Sequence, residues 1–97
     1  MIAHLVLFRL KPGIAPDDAR IERVVRMMSE LPRRIPVIRG WEFGRNLTRD
    51  DEAWDFGLIA RFDNEADLHA YFEHPAHLPA LELWNEIATL AFADFPV

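Results

Sequence analysis

The chain has 97 residues, 51% hydrophobic and 28% charged, with 16 acidic residues against 11 basic ones, a net charge of −5 and no cysteine. This length accommodates one domain over residues 1–97, and the missing thiols exclude disulfides, cysteine-based zinc sites and a cysteine nucleophile. The acidic balance argues against nucleic acid as a partner, because a phosphate backbone selects a basic surface.

Ile2 to Leu10 is rich in β-branched and large apolar residues and reads as a strand. Alternation puts His4, Val6, Phe8 and Leu10 on one side and Ala3, Leu5, Leu7 and Arg9 on the other. Both sides are mostly apolar, so the strand requires cover on both. This N-terminal stretch is too short to span a bilayer and has neither a basic leader nor a small-residue cleavage site. A cytoplasmic protein without membrane contact is therefore expected. Lys11-Pro12-Gly13 ends the strand.

A helix is expected from Pro16, which suits a first helical turn, with Asp17 and Asp18 at the positive end of its dipole. Ile21, Val24, Val25, Met28 and Leu31 form its apolar stripe, and Pro32 is expected to stop it. Val37 to Arg45 is a second strand, weakened by Gly40 and Gly44, and Asn46 to Glu52 is a polar, acidic loop. Trp54 to Phe62 is a third strand with Trp54, Phe56, Leu58 and Ala60 on one side, paired to the second as an antiparallel hairpin. Asn64, with Asp67 three residues on, caps a helix carrying Leu68, Tyr71 and Phe72. His74-Pro75 interrupts it. A further helix from about Ala76 carries Leu78, Leu81, Trp84, Ile87 and Ala88, and the tail from Leu90 to Val97 forms a last strand.

The resulting order is β-α-β-β-α-(α)-β: an α+β, ferredoxin-like βαββαβ arrangement with an extra short helix and one four-stranded antiparallel sheet. Helices cover one face of such a sheet. Leu5, Leu7 and Ile59 then leave a second apolar face, on the order of several hundred Å2, the size that marks an interaction site. A second copy packed sheet against sheet covers it, so a homodimer closing into a dimeric α+β barrel is expected.

Four histidines carry the candidate chemistry. His69 lies off the apolar stripe of its helix and reads as solvent-facing. His4 stands in an apolar strand face, either as a hydrogen-bonded core residue or lining a cavity between sheet and helices. In His74-Pro75-Ala76-His77, the proline forces His74 out of helical geometry and places His77 in the first turn of the next helix. A helix N-terminus disfavours the imidazolium there, and a neutral imidazole is what a general base requires. Tyr71, one turn before His74, offers a phenol to a substrate oxygen. Tyr71, His77 and His4 thus form one candidate set above the sheet; the competing reading is that the histidines only end and restart helices. Three histidines and Glu73 match zinc by residue type but not by spacing, so no metal is expected. The only serine, Ser29, lies within a helix, and phosphate-binding and dinucleotide fingerprints are missing, so no cofactor is expected.

The run from His4 to Lys11, Gly44-Arg45-Asn46, Asp55, Phe62, Leu68, Tyr71, His74-Pro75-Ala76-His77 and Asp94-Phe95-Pro96-Val97 resembles the stress-responsive α/β-barrel (Dabb) family through nearly the whole chain. The resemblance implies a dimeric α+β barrel with ferredoxin-like protomers. It extends to the family's plant olivetolic acid cyclase, which closes a linear polyketide by aldol condensation without a cofactor. By that likeness His77 removes a proton alpha to a carbonyl, Tyr71 orients His77 or polarises the carbonyl oxygen, and His4 shapes the pocket. Arg26, Met27 and Met28 depart from the cyclase's aromatic stretch in the first helix, which leaves the substrate open. The expectation is a small hydrophobic carbonyl ligand and cofactor-independent acid–base chemistry. A non-catalytic stress or assembly protein and a cofactor-free monooxygenase are the alternatives.

Overall fold

A computed structural model describes residues 1–97. The elements are β1 (Ile2–Leu10), α1 (Ala19–Arg34), β2 (Gly40–Arg45), β3 (Phe56–Phe62), α2 (Glu65–Glu73), α3 (His77–Ile87) and β4 (Ala88–Pro96). One sheet runs in the order β2-β3-β1-β4, with every neighbouring pair antiparallel. This is the ferredoxin-like arrangement, with the third helix inserted before the last strand.

The alternation of β1 is realised directly. His4, Val6 and Phe8 are buried under the helices, while Leu7 on the opposite face remains 41% exposed. In β3 the contrast falls between adjacent residues: Leu58 is 2% exposed and Ile59 36%. From α1, Val24, Met28 and Leu31 enter the core; α2 adds Leu68 and Tyr71, and α3 adds Leu83, Trp84 and Ile87. The uncovered face carries Leu5 opposite Ile59, Leu7 opposite Gly57 and, on β4, Phe95 opposite Ala3.

Several boundaries differ from the sequence reading, each for a local reason. α1 starts at Ala19 rather than Pro16, because the Asp18 carboxylate accepts the Arg20 N–H at 2.9 Å and makes Asp18 the cap. Pro32 does not stop α1. It sits in the last turn, and the helix closes at Ile35, whose N–H donates to the Leu31 carbonyl at 2.9 Å. β2 begins at Gly40 rather than Val37, and β3 at Phe56 rather than Trp54. Asp55 breaks the alternation there: its carboxylate accepts the Leu10 N–H at 2.8 Å and its own N–H donates to the Phe8 carbonyl. Trp54 consequently leaves the core side, with Arg9 lying 5.8 Å over its ring. In α3 the buried stripe is Ala80, Leu83, Trp84 and Ile87, and Leu78 is exposed. Docking of Trp84 against Phe8, with ring centroids 4.2 Å apart, sets that phase. Ala88 belongs to β4, which follows α3 without a linker and starts two residues before Leu90.

No helix is long and apolar enough to cross a membrane.

Candidate active site

Between the sheet and the helices lies a cavity of about 610 Å3, floored by β1 and β4 and walled by α2 and α3. Its position follows from the topology. α2 packs on β1 and β3 and α1 on β2, whereas the helix packed on β4 is chiefly α3, which leads into it. The helix-side positions of β4 therefore stay partly open, and Phe92 is 68% exposed.

His4, Tyr71 and His77 all line this cavity. His4, 5% exposed, is the one buried polar residue of the chain. It sits opposite Asp94 in the β1–β4 register, and its Nδ1–H donates to the Asp94 carboxylate at 2.5 Å. A carboxylate only accepts here, so the pairing assigns the proton to Nδ1 and leaves Nε2 as the other ring nitrogen available to a ligand. Phe72 and Tyr71, with ring centroids 5.3 and 5.8 Å away, enclose the imidazole.

Tyr71 projects from α2 and is 1% exposed; its ring centroid lies 4.4 Å from that of His77. Burial pushes its phenol well above the ordinary value of 10.0, so it is a protonated donor at neutral pH. His77 is the first residue of α3, and its Nδ1–H donates to the Phe72 carbonyl at 3.2 Å. The neutral ring therefore carries its lone pair on Nε2. Its pKa is lowered from 6.5, chiefly by burial. The Phe72 carbonyl opposes this, and the charges of His4 and His74 add to it. Burial, rather than the helix terminus invoked from sequence, leads that shift.

The remaining histidines lie elsewhere. His74 ends α2, and its Nδ1 accepts the Ala76 N–H at 3.0 Å, so within the His74–His77 segment the first histidine caps and the second faces the cavity. His69 is exposed. No three His, Cys, Asp or Glu side chains converge as metal ligands. Asp94 carried no role in the sequence reading. The signal for it is the β1–β4 pairing: once the two strands run antiparallel in register, the only acid on β4 falls beside His4. At the opposite end of the cavity, the Lys11 ammonium donates to the Asn85 carbonyl at 2.6 Å.

Known proteins share this chain's sequence pattern and its fold. The sequence matches the stress responsive A/B barrel (Dabb) domain over residues 2–97. The chain belongs to the Dabb family. It is 38% identical over 95 residues to the uncharacterized protein SCO4036 of Streptomyces coelicolor, covering 98% of each chain. A dimeric ferredoxin-like protein from Thermobifida fusca superposes with a TM-score of 0.87 at 31% identity, covering 99% of this chain and 90% of that one. A dimeric protein of the same fold from Bacteroides fragilis gives 0.82 at 30% identity, covering 99% and 95%. The function of both is unknown. Likeness of fold alone extends to the hydroxynitrile lyase of Passiflora edulis, at 16% identity and TM-score 0.82 over 99% and 92% of the two chains. It also extends to SnoaB, a cofactor-independent oxygenase of Streptomyces nogalater, at 18% and 0.74 over 99% and 91%.

Proposed function

We propose that this Dabb protein is a homodimer whose protomers each bind a small hydrophobic carbonyl compound and transfer a proton at the carbon alpha to the carbonyl, without a cofactor, in an aldol-type ring closure or an isomerisation. The observation that carries this reading is the gathering of His77, Tyr71 and His4, the last held by Asp94 from behind, in the wall of one largely apolar cavity. His77 Nε2 takes the alpha proton, with Nδ1–H held by the Phe72 carbonyl so that the tautomer is the basic one. The electron pair of the broken C–H bond moves to the carbonyl oxygen, which the Tyr71 hydroxyl stabilises by donating to it. In ring closure the enolate carbon then attacks a second carbonyl, and the His77 imidazolium returns its proton to the alkoxide formed. His4, oriented by Asp94, binds the substrate from the strand side. That this fold houses a hydroxynitrile lyase in Passiflora edulis supports an enzymatic use of the layer.

The test is exchange of deuterium from solvent into the alpha position of an aryl methyl ketone, followed by NMR. The protein is expected to accelerate exchange, and both His77→Ala and Tyr71→Phe to slow it. Equal rates with and without protein across a panel of ketones sink the reading.

The homodimer rests on the uncovered sheet face, where Leu7 is 41% exposed and Phe95 42%, and on the dimeric relatives from T. fusca and B. fragilis. Ile59→Glu places a charge at the centre of that face, where burial without a partner is strongly disfavoured. Sedimentation is expected to show a dimer for the natural chain and a monomer for the variant.

A further inference from the structure

The polar groups of the cavity fall into two sets. His4, Tyr71 and His77 stand at one end, and Lys11 and Asn85 at the other. α3 measures the distance between them: His77 and Asn85 are eight residues apart on one helix, about 12 Å at 1.5 Å per residue. The wall between is apolar, with Phe8, Leu58, Ala80, Leu81 and Leu90. It also holds Trp84, whose indole N–H is the one buried side-chain donor without a hydrogen-bond partner.

The charge at the far end runs against the rest of the protein. The net charge is −5, yet no carboxylate lines the cavity, and its only cationic side chain of fixed charge is Lys11, the single lysine of the chain. The ammonium donates to the Asn85 carbonyl at 2.6 Å near the end of α3 and keeps two of its three N–H donors. That bond holds it in place, while Lys11 and Asn85 are both exposed to an incoming group. A single cation beside an amide, at the end of an apolar slot, fits a monoanionic carboxylate.

We propose that Lys11 and Asn85 form a carboxylate-binding subsite. The ligand class is then a keto acid whose ketone lies against His77 and Tyr71, and whose carboxylate, an apolar stretch away, lies against Lys11. This rests on the carbonyl-binding reading of the same cavity and adds which end groups the ligand carries and how far apart they stand.

The experiment uses a ten-carbon fatty acid bearing a methyl ketone at the end remote from its carboxylate, together with its methyl ester. Binding is measured by calorimetry and alpha-carbon deuterium exchange by NMR, for the natural chain, Lys11→Met and Lys11→Arg, with thermal unfolding recorded for each. The natural chain is expected to bind the acid about tenfold or more tightly than the ester, with a preference that weakens as salt is raised. Lys11→Met abolishes the preference and Lys11→Arg retains it. Equal affinity of the natural chain for acid and ester overturns the subsite. If exchange into the ester is still accelerated in that case, the carbonyl reading stands without it. If neither compound binds and neither exchanges, both fall. The acid–ester comparison within the natural chain decides the matter even if Lys11→Met does not fold.

Discussion

Over β2 and β3 the space between helices and sheet is filled by aromatic rings, whereas over β1 and β4 the same layer encloses a cavity. In the filled half Phe43 stacks on Phe56 with centroids 5.8 Å apart and Trp84 packs against Phe56 at 5.3 Å, while at the border of the two halves Trp84 meets Phe8 of β1 at 4.2 Å. In the hollow half the polar rings are His4, Tyr71 and His77, and two of their polar atoms are engaged by the chain itself, at Asp94 and the Phe72 carbonyl. One layer thus holds two kinds of packing: rings that meet rings and leave no room, and rings that present heteroatoms to a space. Trp84 belongs to both, as a core anchor and as cavity wall. The aromatic anchor lies in the first region and the proposed chemistry in the second.

That division is open to direct attack. The largest effect is expected from Trp84→Ala, which removes the ring joining both halves: about 3–5 kcal/mol of stability lost, read as a fall in the denaturation midpoint. A loss below about 1 kcal/mol would mean that the filled half is not what anchors the layer. His77→Ala is expected to slow alpha-carbon exchange by about 10²–10⁴-fold, with a far smaller change in midpoint than Trp84→Ala. Tyr71→Phe keeps the ring packing and removes only the donor to the developing oxyanion. It is expected to cost about 1.5–3 kcal/mol in the exchange barrier, seen in the rate constant. His74→Ala removes one turn bond and is expected to lower stability by about 0.5–1.5 kcal/mol with a far smaller effect on exchange than His77→Ala, since the cap does not face the cavity and reaches His77 only through its charge.

A pH effect on His77 sharpens the comparison further. Its pKa is lowered in the folded chain, so folding binds fewer protons there than the unfolded state does. The contribution is fully present above the ordinary value of 6.5 and is lost as pH falls through the lowered one. NMR titration of the His77 ring is expected to give a midpoint below 6.5. A midpoint above it would contradict burial as the dominant influence.

Much of this was legible in the residues. The parity of β1 identified both the buried face, with His4, Val6 and Phe8, and the open one, with Leu5 and Leu7, because a strand offers only two sides. The stripe of α1 was equally direct. What escaped the reading depends on contacts distant along the chain. Trp54 appeared to continue the alternation of β3 until Asp55, bonded to the end of β1, interrupted it. Leu78 matched the helical period of α3, but Trp84 docking on Phe8 turned it outward. Asp94 became a partner of His4 only through pairing of the first strand with the last, ninety residues away. His74 and His77 share one short segment of the sequence; the bond from Ala76 to one and from the other to Phe72 separates a cap from a cavity group.

The direct passage from Ile87 to Ala88 has a consequence for the shape of what the cavity accepts. With no linker between α3 and β4, wall and floor are two arms of one bent segment, and the angle at that joint sets the width of the slot. Ile87 and Ala88 are 0% and 3% exposed, so the joint is wedged from within and the arms do not splay independently. The protein thereby acts as a fixed calliper. Exchanging the residues at its pivot offers a way to admit broader or narrower compounds while every heteroatom along the arms stays as it is.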